Sequence, residues 1–221
     1  MKIGDKMMKK IFYYYKVLIL GIVGSFLMVS CSLFPDKITK KVTPITKKRV
    51  VPKKIDKTPY KTSECIRELS RGSELSGVQI DKIVVYKSKR EMKTYAKGEL
   101  VYTFAFSLGK NGDKGHKLQQ GDYRTPEGSY KIVHKKCDNR LYKSLAISYP
   151  NNEDKKQAEK LGVNTGGYNT IHGQPKWNAD GHGDAFTLKN DWTEGCMAVP
   201  NSAMDKLWVA VKNGVKIDIY P

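Results

Sequence analysis

The residues of this 221-residue chain best suited to chemistry are its four cysteines and four histidines. Cys196 stands in the run Asn-Asp-Trp-Thr-Glu-Gly-Cys-Met-Ala-Val-Pro-Asn, residues 190–201, after a glycine and before an apolar stretch. Three roles fit that setting: a buried thiol on a strand, half of a disulfide, or a nucleophile. A free thiol ionises near a pKa of about 8.5, so a nucleophilic role at neutral pH needs a base close by. His172 ends the run Gly-Tyr-Asn-Thr-Ile-His and directly precedes Gly173, where a chain reversal would expose it. A hydrogen-bonded structural histidine is the plainer alternative. His172, His182 and Asp184 also raise a zinc site. No recognised spacing such as His-Glu-x-x-His occurs, and no two cysteines fall at ligand-motif spacing, so neither a metal nor another cofactor is expected.

The elements that must position these residues are mostly strands. In Leu-Val-Tyr-Thr-Phe-Ala-Phe-Ser-Leu, Leu100, Tyr102, Phe104, Phe106 and Leu108 alternate with smaller residues, the period of a strand. Shorter strands are expected at residues 83–87, 129–134, 145–149, 170–172, 185–188, 195–199 and 215–220. Many short strands divided by turn residues point to a β-sandwich or barrel. Two helices interrupt them. Residues 151–161 are polar and helix-forming, and residues 202–212 place Met204, Leu207, Trp208 and Val211 on one face before a glycine stop at Gly214. A short helix is expected within residues 63–77.

Ile171-His172-Gly173 taken together with Thr193-Glu194-Gly195-Cys196 resembles the L,D-transpeptidase (YkuD-type) catalytic domain family. That family carries a His-Gly, a spacer, and then Ser/Thr-His-Gly-Cys. The segment Gly-Asp-Tyr-Arg-Thr-Pro-Glu-Gly-Ser-Tyr, residues 121–130, is similar to a second hallmark of the family, Gly-Asp-x-x-Thr-Pro-x-Gly. Its simpler account is a hairpin turn with Pro126 at the second position and Gly128 at the fourth. Asp191-Trp192-Thr193-Glu194-Gly195-Cys196 looks like the subgroup whose motif reads Asp-Trp-Thr-x-Gly-Cys. The resemblance runs from about residue 80 to the C-terminus and implies that residues 78–221 form a mainly β, L,D-transpeptidase-like sandwich with a few short helices. It also implies that Cys196 is the nucleophile, His172 its base, and the Gly173 carbonyl the holder of the ring, with amides around Gly195 and Cys196 meeting an oxyanion. Two features depart from the pattern. Twenty residues separate His172 from Thr193, a longer spacer than is usual, and Glu194 replaces the family's second histidine. If the chain is extended there, Glu194 and Cys196 face one side. A carboxylate beside the thiol would oppose ionisation, so Glu194 is expected to face His172 or the amine of a substrate instead.

The implied reaction is attack by Cys196 on a peptidoglycan stem tetrapeptide after its third residue, with release of D-alanine and transfer of the acyl group to an amine. An L,D-carboxypeptidase or hydrolase would pass the same acyl group to water. A non-catalytic, wall-binding lipoprotein is the alternative from another class.

The remaining sequence concerns location. Lys2, Lys6, Lys9 and Lys10 precede an uncharged apolar run over residues 17–34, the layout of an export signal. Its end, Val29-Ser30-Cys31, resembles a bacterial lipoprotein site at which Cys31 is lipidated. The alternative is an uncleaved anchor helix, since about 18 apolar residues approach the shortest membrane span. Residues 1–31 are therefore expected to be a signal peptide or anchor, with the protein exported and held at the periplasmic face. Ser32, in place of an aspartate, leaves outer-membrane sorting open. With Cys31 lipidated, Cys65 and Cys137 can pair and Cys196 remains as the odd thiol, although sequence cannot give the distance a disulfide needs.

Residues 32–62 read as a disordered basic linker. Positions 36–62 hold ten Lys or Arg against two Asp, contributing +8 to the chain's +18, together with three prolines. Such a tether spans on the order of 30 Å when flexible and up to about 90 Å when straight. No nucleic acid is expected as a partner, because no base-stacking motif accompanies the charge. Stem peptides, and a membrane reached through the N-terminal lipid or anchor, are the expected partners.

Overall fold

The computed structural model describes residues 58–63, 75–176 and 184–221, all within one compact unit of residues 50–221. The expected signal or anchor, most of the linker, Cys31, Cys65, His182 and most of the 63–77 helix lie outside the described residues. Among the described residues no helix is long and apolar enough to cross a membrane.

The architecture is mainly β with a few short helices. In chain order the elements are β1 (Ile80–Tyr86), β2 (Glu91–Ala96), β3 (Glu99–Ala105), β4 (Gly128–Asp138), β5 (Tyr142–Ile147), α1 (Asn152–Leu161), β6 (Thr170–His172), α2 (Asp184–Thr187), β7 (Met197–Ala198), α3 (Asn201–Ala210) and β8 (Val211–Tyr220). The strands form one sheet in the order β3-β2-β1-β8-β4-β5-β6-β7. Its curl comes from β4. Gly128 to Lys131 of that strand pair with β8, whereas Ile132 onward pairs with β5 after a register shift between Ile132 and His134. A bulge of this kind bends a strand and increases its twist, so the two halves of the sheet fold over each other. The chain beyond β3 then meets the far end: Ser107 and Ala198 exchange both backbone hydrogen bonds at 2.8 Å. The sandwich encloses one core, in which Phe106, Leu108, Ile132, Leu145, Met197 and Ile217 are buried.

The period-two pattern of residues 100–108 is realised only at its inner end. Phe104, Phe106 and Leu108 are buried, while Leu100 and Tyr102 are exposed because β3 is the edge strand and overhangs the core. Three expectations need correction. Residues 185–188 form part of α2 and its following turn instead of a strand, with Phe186 and Leu188 both exposed; a four-residue apolar run cannot distinguish the two periodicities. The 202–212 helix ends at Ala210, and Val211, fully buried, opens β8. Gly214 is no helix stop. It sits at φ 92° inside β8, where the register against β1 jumps from Ile80–Val211 to Lys82–Lys216. Strand β2 was not expected at all, since Glu-Met-Lys-Thr-Tyr-Ala buries only Met92 and Thr94.

Candidate active site

Parallel pairing of β6 with β7 aligns Ile171 with Met197 and His172 with Ala198. Cys196, one residue before Met197, is thereby set beside Thr170 and within reach of His172, 24 positions away in sequence. All three residues of β6 are buried, and its other edge pairs with β5, placing Ser144 opposite His172. The Nδ1 of His172 lies 2.6 Å from the Gly173 carbonyl oxygen. A carbonyl only accepts, so Nδ1 carries a proton and the other ring nitrogen is the one available to sulfur. The Cys196 thiol lies close enough for the ring and the thiol each to shift the other's ionisation, and the Trp192 ring stands edge-on to the imidazole at 5.7 Å.

Burial pushes the His172 imidazole down. Its hydrogen bond to Cys196 and the charge there, the Gly173 carbonyl and the negative charge of Asp138 outweigh burial, so the ring sits above its ordinary value. Burial likewise pushes the Cys196 thiol up, and the hydrogen bond and charge of His172, with the Thr170 hydroxyl and backbone, bring it below its ordinary value. The Thr170 hydroxyl donates to Sγ across 3.6 Å. The two shifts have opposite sign and a common cause, which favours a thiolate beside an imidazolium. Cys196 is a free, half-buried thiol, so the disulfide role considered for it does not apply.

The loop carrying Cys196 is held from three directions. Thr193 Oγ1 donates to the Cys196 carbonyl at 2.7 Å and accepts from the Gly195 N–H at 3.1 Å. The buried Asn169 carboxamide donates to the Gly195 carbonyl at 2.8 Å. Behind the loop, backbone meets backbone. A Cβ on Gly195, which adopts φ 124°, would lie 2.6 Å from the Arg124 carbonyl oxygen, and one on Gly109 would lie 2.8 Å from the Gly195 Cα. Lys110 N–H donates to the Thr193 carbonyl and Thr193 N–H to that of Leu108. The 121–130 segment thus does more than turn the chain: it backs the cysteine loop. The buried Lys87 ammonium pins it through Glu127 at 2.6 Å and the Thr125 carbonyl at 3.1 Å.

The thiol opens into a cleft of about 1000 Å³ whose lining includes Lys110, Tyr123, Asp138, Arg140, Tyr168 and Glu194. Tyr123 and Tyr168 take φ 57° and 62°, a left-handed backbone that aromatic residues seldom adopt.

The model of the YkuD family, the L,D-transpeptidase catalytic domain, matches residues 80–219, more than half of the chain. The chain belongs to that family. The protein named "Putative L,D-transpeptidase YafK" of Escherichia coli (strain K12) is 27% identical over 151 residues, which cover 63% of this chain and 53% of YafK. The chain thus spans about half the length of the curated relatives it matches. Among solved structures, the helical cell shape determining protein Pgp2 of Campylobacter jejuni matches with 22% identity and a TM-score of 0.47, over 72% of this chain and 55% of Pgp2. An L,D-transpeptidase of Mycobacterium smegmatis matches with 13% identity and a TM-score of 0.43, over 64% of this chain and 59% of that one.

Within this L,D-transpeptidase domain the structure brings together His172, Gly173, Thr193, Gly195 and Cys196. It does not bring Glu194 to His172. The loop is not extended there, β7 being limited to Met197 and Ala198, and Glu194 is exposed at the cleft rim. The carboxylate that raises the imidazole is Asp138, which sequence reasoning missed. Asp138 is buried at the end of β4 and accepts the N–H groups of Arg140 and Leu141. Its only signal was its place before the turn Asn-Arg-Leu. The Gly195 amide is occupied by Thr193 and points away from the expected oxyanion role. Cys137 is disulfide-bonded, and Cys65, its expected partner, lies outside the described residues. His116 is structural, accepting the Glu127 N–H at 3.0 Å and lying 3.1 Å from Asp154; His134 is exposed on β4. Among the described residues no three His, Cys, Asp or Glu cluster as metal ligands.

Proposed function

We propose that the protein is a peptidoglycan-modifying cysteine enzyme in which Cys196 is the nucleophile and His172 its acid and base. The observation that supports this best is the pair itself: a buried imidazole protonated at Nδ1, a free thiol beside it, and ionisation shifts of opposite sign. The Cys196 thiolate attacks the carbonyl carbon of the third residue of a stem tetrapeptide. The oxyanion is met by the Cys196 N–H, the amide that Thr193 leaves free, and His172 gives its proton to the departing D-alanine amine. The resulting thioester is opened by an acceptor amine, whose proton returns to His172 while the thiolate leaves. Lys110 and Arg140 on the lining suit the carboxylates of a stem peptide. Glu194 at the rim suits the ammonium of an incoming acceptor. Water as acceptor makes the same site an L,D-carboxypeptidase or hydrolase.

Export and attachment to a membrane through Cys31 or an uncleaved anchor complete the proposal and place the cleft at the periplasmic face. Incubation with disaccharide tetrapeptides tests it. Crosslinked dimers are expected from transfer and tripeptides from hydrolysis, and Cys196→Ala lowers either by at least about a thousandfold. An unchanged product profile in Cys196→Ala would leave only a wall-binding lipoprotein.

A further inference from the structure

The segment preceding the family match reaches residues that hold the peptide next to the histidine. In the exposed stretch 58–63 Tyr60 alone is partly buried. Its N–H donates to the Asn139 carbonyl, and its ring packs on that of Tyr142 at 5.3 Å. Its hydroxyl donates to the Gln174 carbonyl at 3.0 Å and accepts from Asn201 Nδ2 at 3.0 Å. Asn201 Oδ1 in turn accepts the Gln174 N–H at 2.9 Å. Tyr60, Asn201 and the Gln174 backbone therefore form a closed ring of three hydrogen bonds.

That ring bears on the site through one peptide plane. The Gln174 N–H and the Gly173 C=O belong to the same rigid unit. Its oxygen holds His172 Nδ1 at 2.6 Å, and its N–H is held by Asn201. A carboxamide has a donor end and an acceptor end of nearly equal size. If the Asn201 carboxamide turned over, its NH₂ would oppose the Gln174 N–H. The bond from Nδ2 to the Tyr60 hydroxyl is what keeps the acceptor end toward Gln174. Space is tight as well, since a Cβ on Gly173 would fall 2.4 Å from Asn201 Oδ1.

We propose that Tyr60 is a positioning residue: its hydroxyl orients Asn201, Asn201 fixes the 173–174 peptide, and that peptide fixes the proton on His172 Nδ1 and the aim of the ring at Cys196. The working unit then begins some twenty residues before the family match at residue 80. The inference rests on the proposed pairing of Cys196 with His172.

The test uses the full chain and the rate at which iodoacetamide alkylates Cys196, followed by mass on the peptide containing it, across a range of pH. In the wild type the midpoint lies below that of an ordinary cysteine. Tyr60→Phe keeps the ring on Tyr142 and removes the hydroxyl. Its midpoint moves up by about half to one pH unit, so alkylation below the midpoint slows about three- to tenfold, while the melting temperature changes little. Asn201→Ala produces a similar upward shift, and adding Tyr60→Phe to it produces no more, because both act through one ring. A Tyr60→Phe profile superimposed on the wild type, or shifts that add independently, overturns the inference. A wild-type midpoint at the ordinary cysteine value overturns the pairing and the inference together, so the two failures are told apart by the wild type alone.

Discussion

The two halves of the proposed reacting pair are positioned by different means. His172 lies within a three-strand ladder, buried, paired on one edge with β5 and on the other with β7. Cys196 lies on a loop fixed by the close approach of Gly109 and Gly195, by the Arg124 carbonyl behind it, and by hydrogen bonds from Thr193 and Asn169. A ladder sets a side chain's place through repeated backbone bonds, each replaceable by its neighbours. A loop held at single points has no such redundancy. Damage to the loop should therefore cost more chemistry per unit of stability than damage to the ladder.

Gly195→Ala attacks the loop at its tightest point and carries the largest effect. Both the φ of 124° and the 2.6 Å approach to Arg124 forbid a Cβ, so a loss of about 2 kcal/mol or more in urea unfolding is expected, with turnover near background. Thr193→Val removes only the hydroxyl that joins the Gly195 N–H to the Cys196 carbonyl. Stability should fall by about 1–2 kcal/mol and turnover by about 10- to 100-fold through misplacement of the thiol. Equal fractional losses in both quantities would place the loop on the same footing as the ladder.

The pH dependence probes the ladder side. With the thiol lowered and the imidazole raised, the ionised pair occupies the window between the two. It is lost as pH falls through the thiol's lowered value, and again as pH rises through the imidazole's raised value. The acid limb of kcat/KM should accordingly lie below about pH 8.5, the value of a free cysteine. A limb at or above it would mean that the histidine does not charge the thiol. The smallest effect belongs to Glu194→Ala. An exposed rim charge is heavily screened, so a change of about two- to threefold is expected, in transfer to an amine and not in thioester formation, as single-turnover measurements would separate.

What sequence revealed follows the same division. Strand β6 was legible to the residue because Thr-Ile-His-Gly is a short apolar run closed by a glycine, and the His-Gly and Thr-Glu-Gly-Cys motifs taken together pointed to His172 and Cys196 through their resemblance to the family. The loop's supports were not legible, because they are contacts between backbones far apart in the chain, Gly109 with Gly195 and Gly195 with Arg124, and a glycine in a sequence does not say what it is pressed against. Asp138 was hidden for a related reason: its charge matters through distance to His172, which no spacing in the chain records. Glu194 drew attention through motif position alone, and the left-handed turn at Gly195 removed the extended geometry on which its expected orientation depended. Tyr60 was masked by composition, since the basic residues around it dominate any average over that stretch.

The brevity of β7 has a thermal consequence. Two residues, Met197 and Ala198, hold the thiol's strand against β6, with Ser107 closing its other side. So short a strand opens at a lower free energy than the core beneath it. On heating, the sulfur would leave the imidazole while β1, β4 and β8 are still paired, and a protein that has stopped working would still give the far-ultraviolet signal of a folded one.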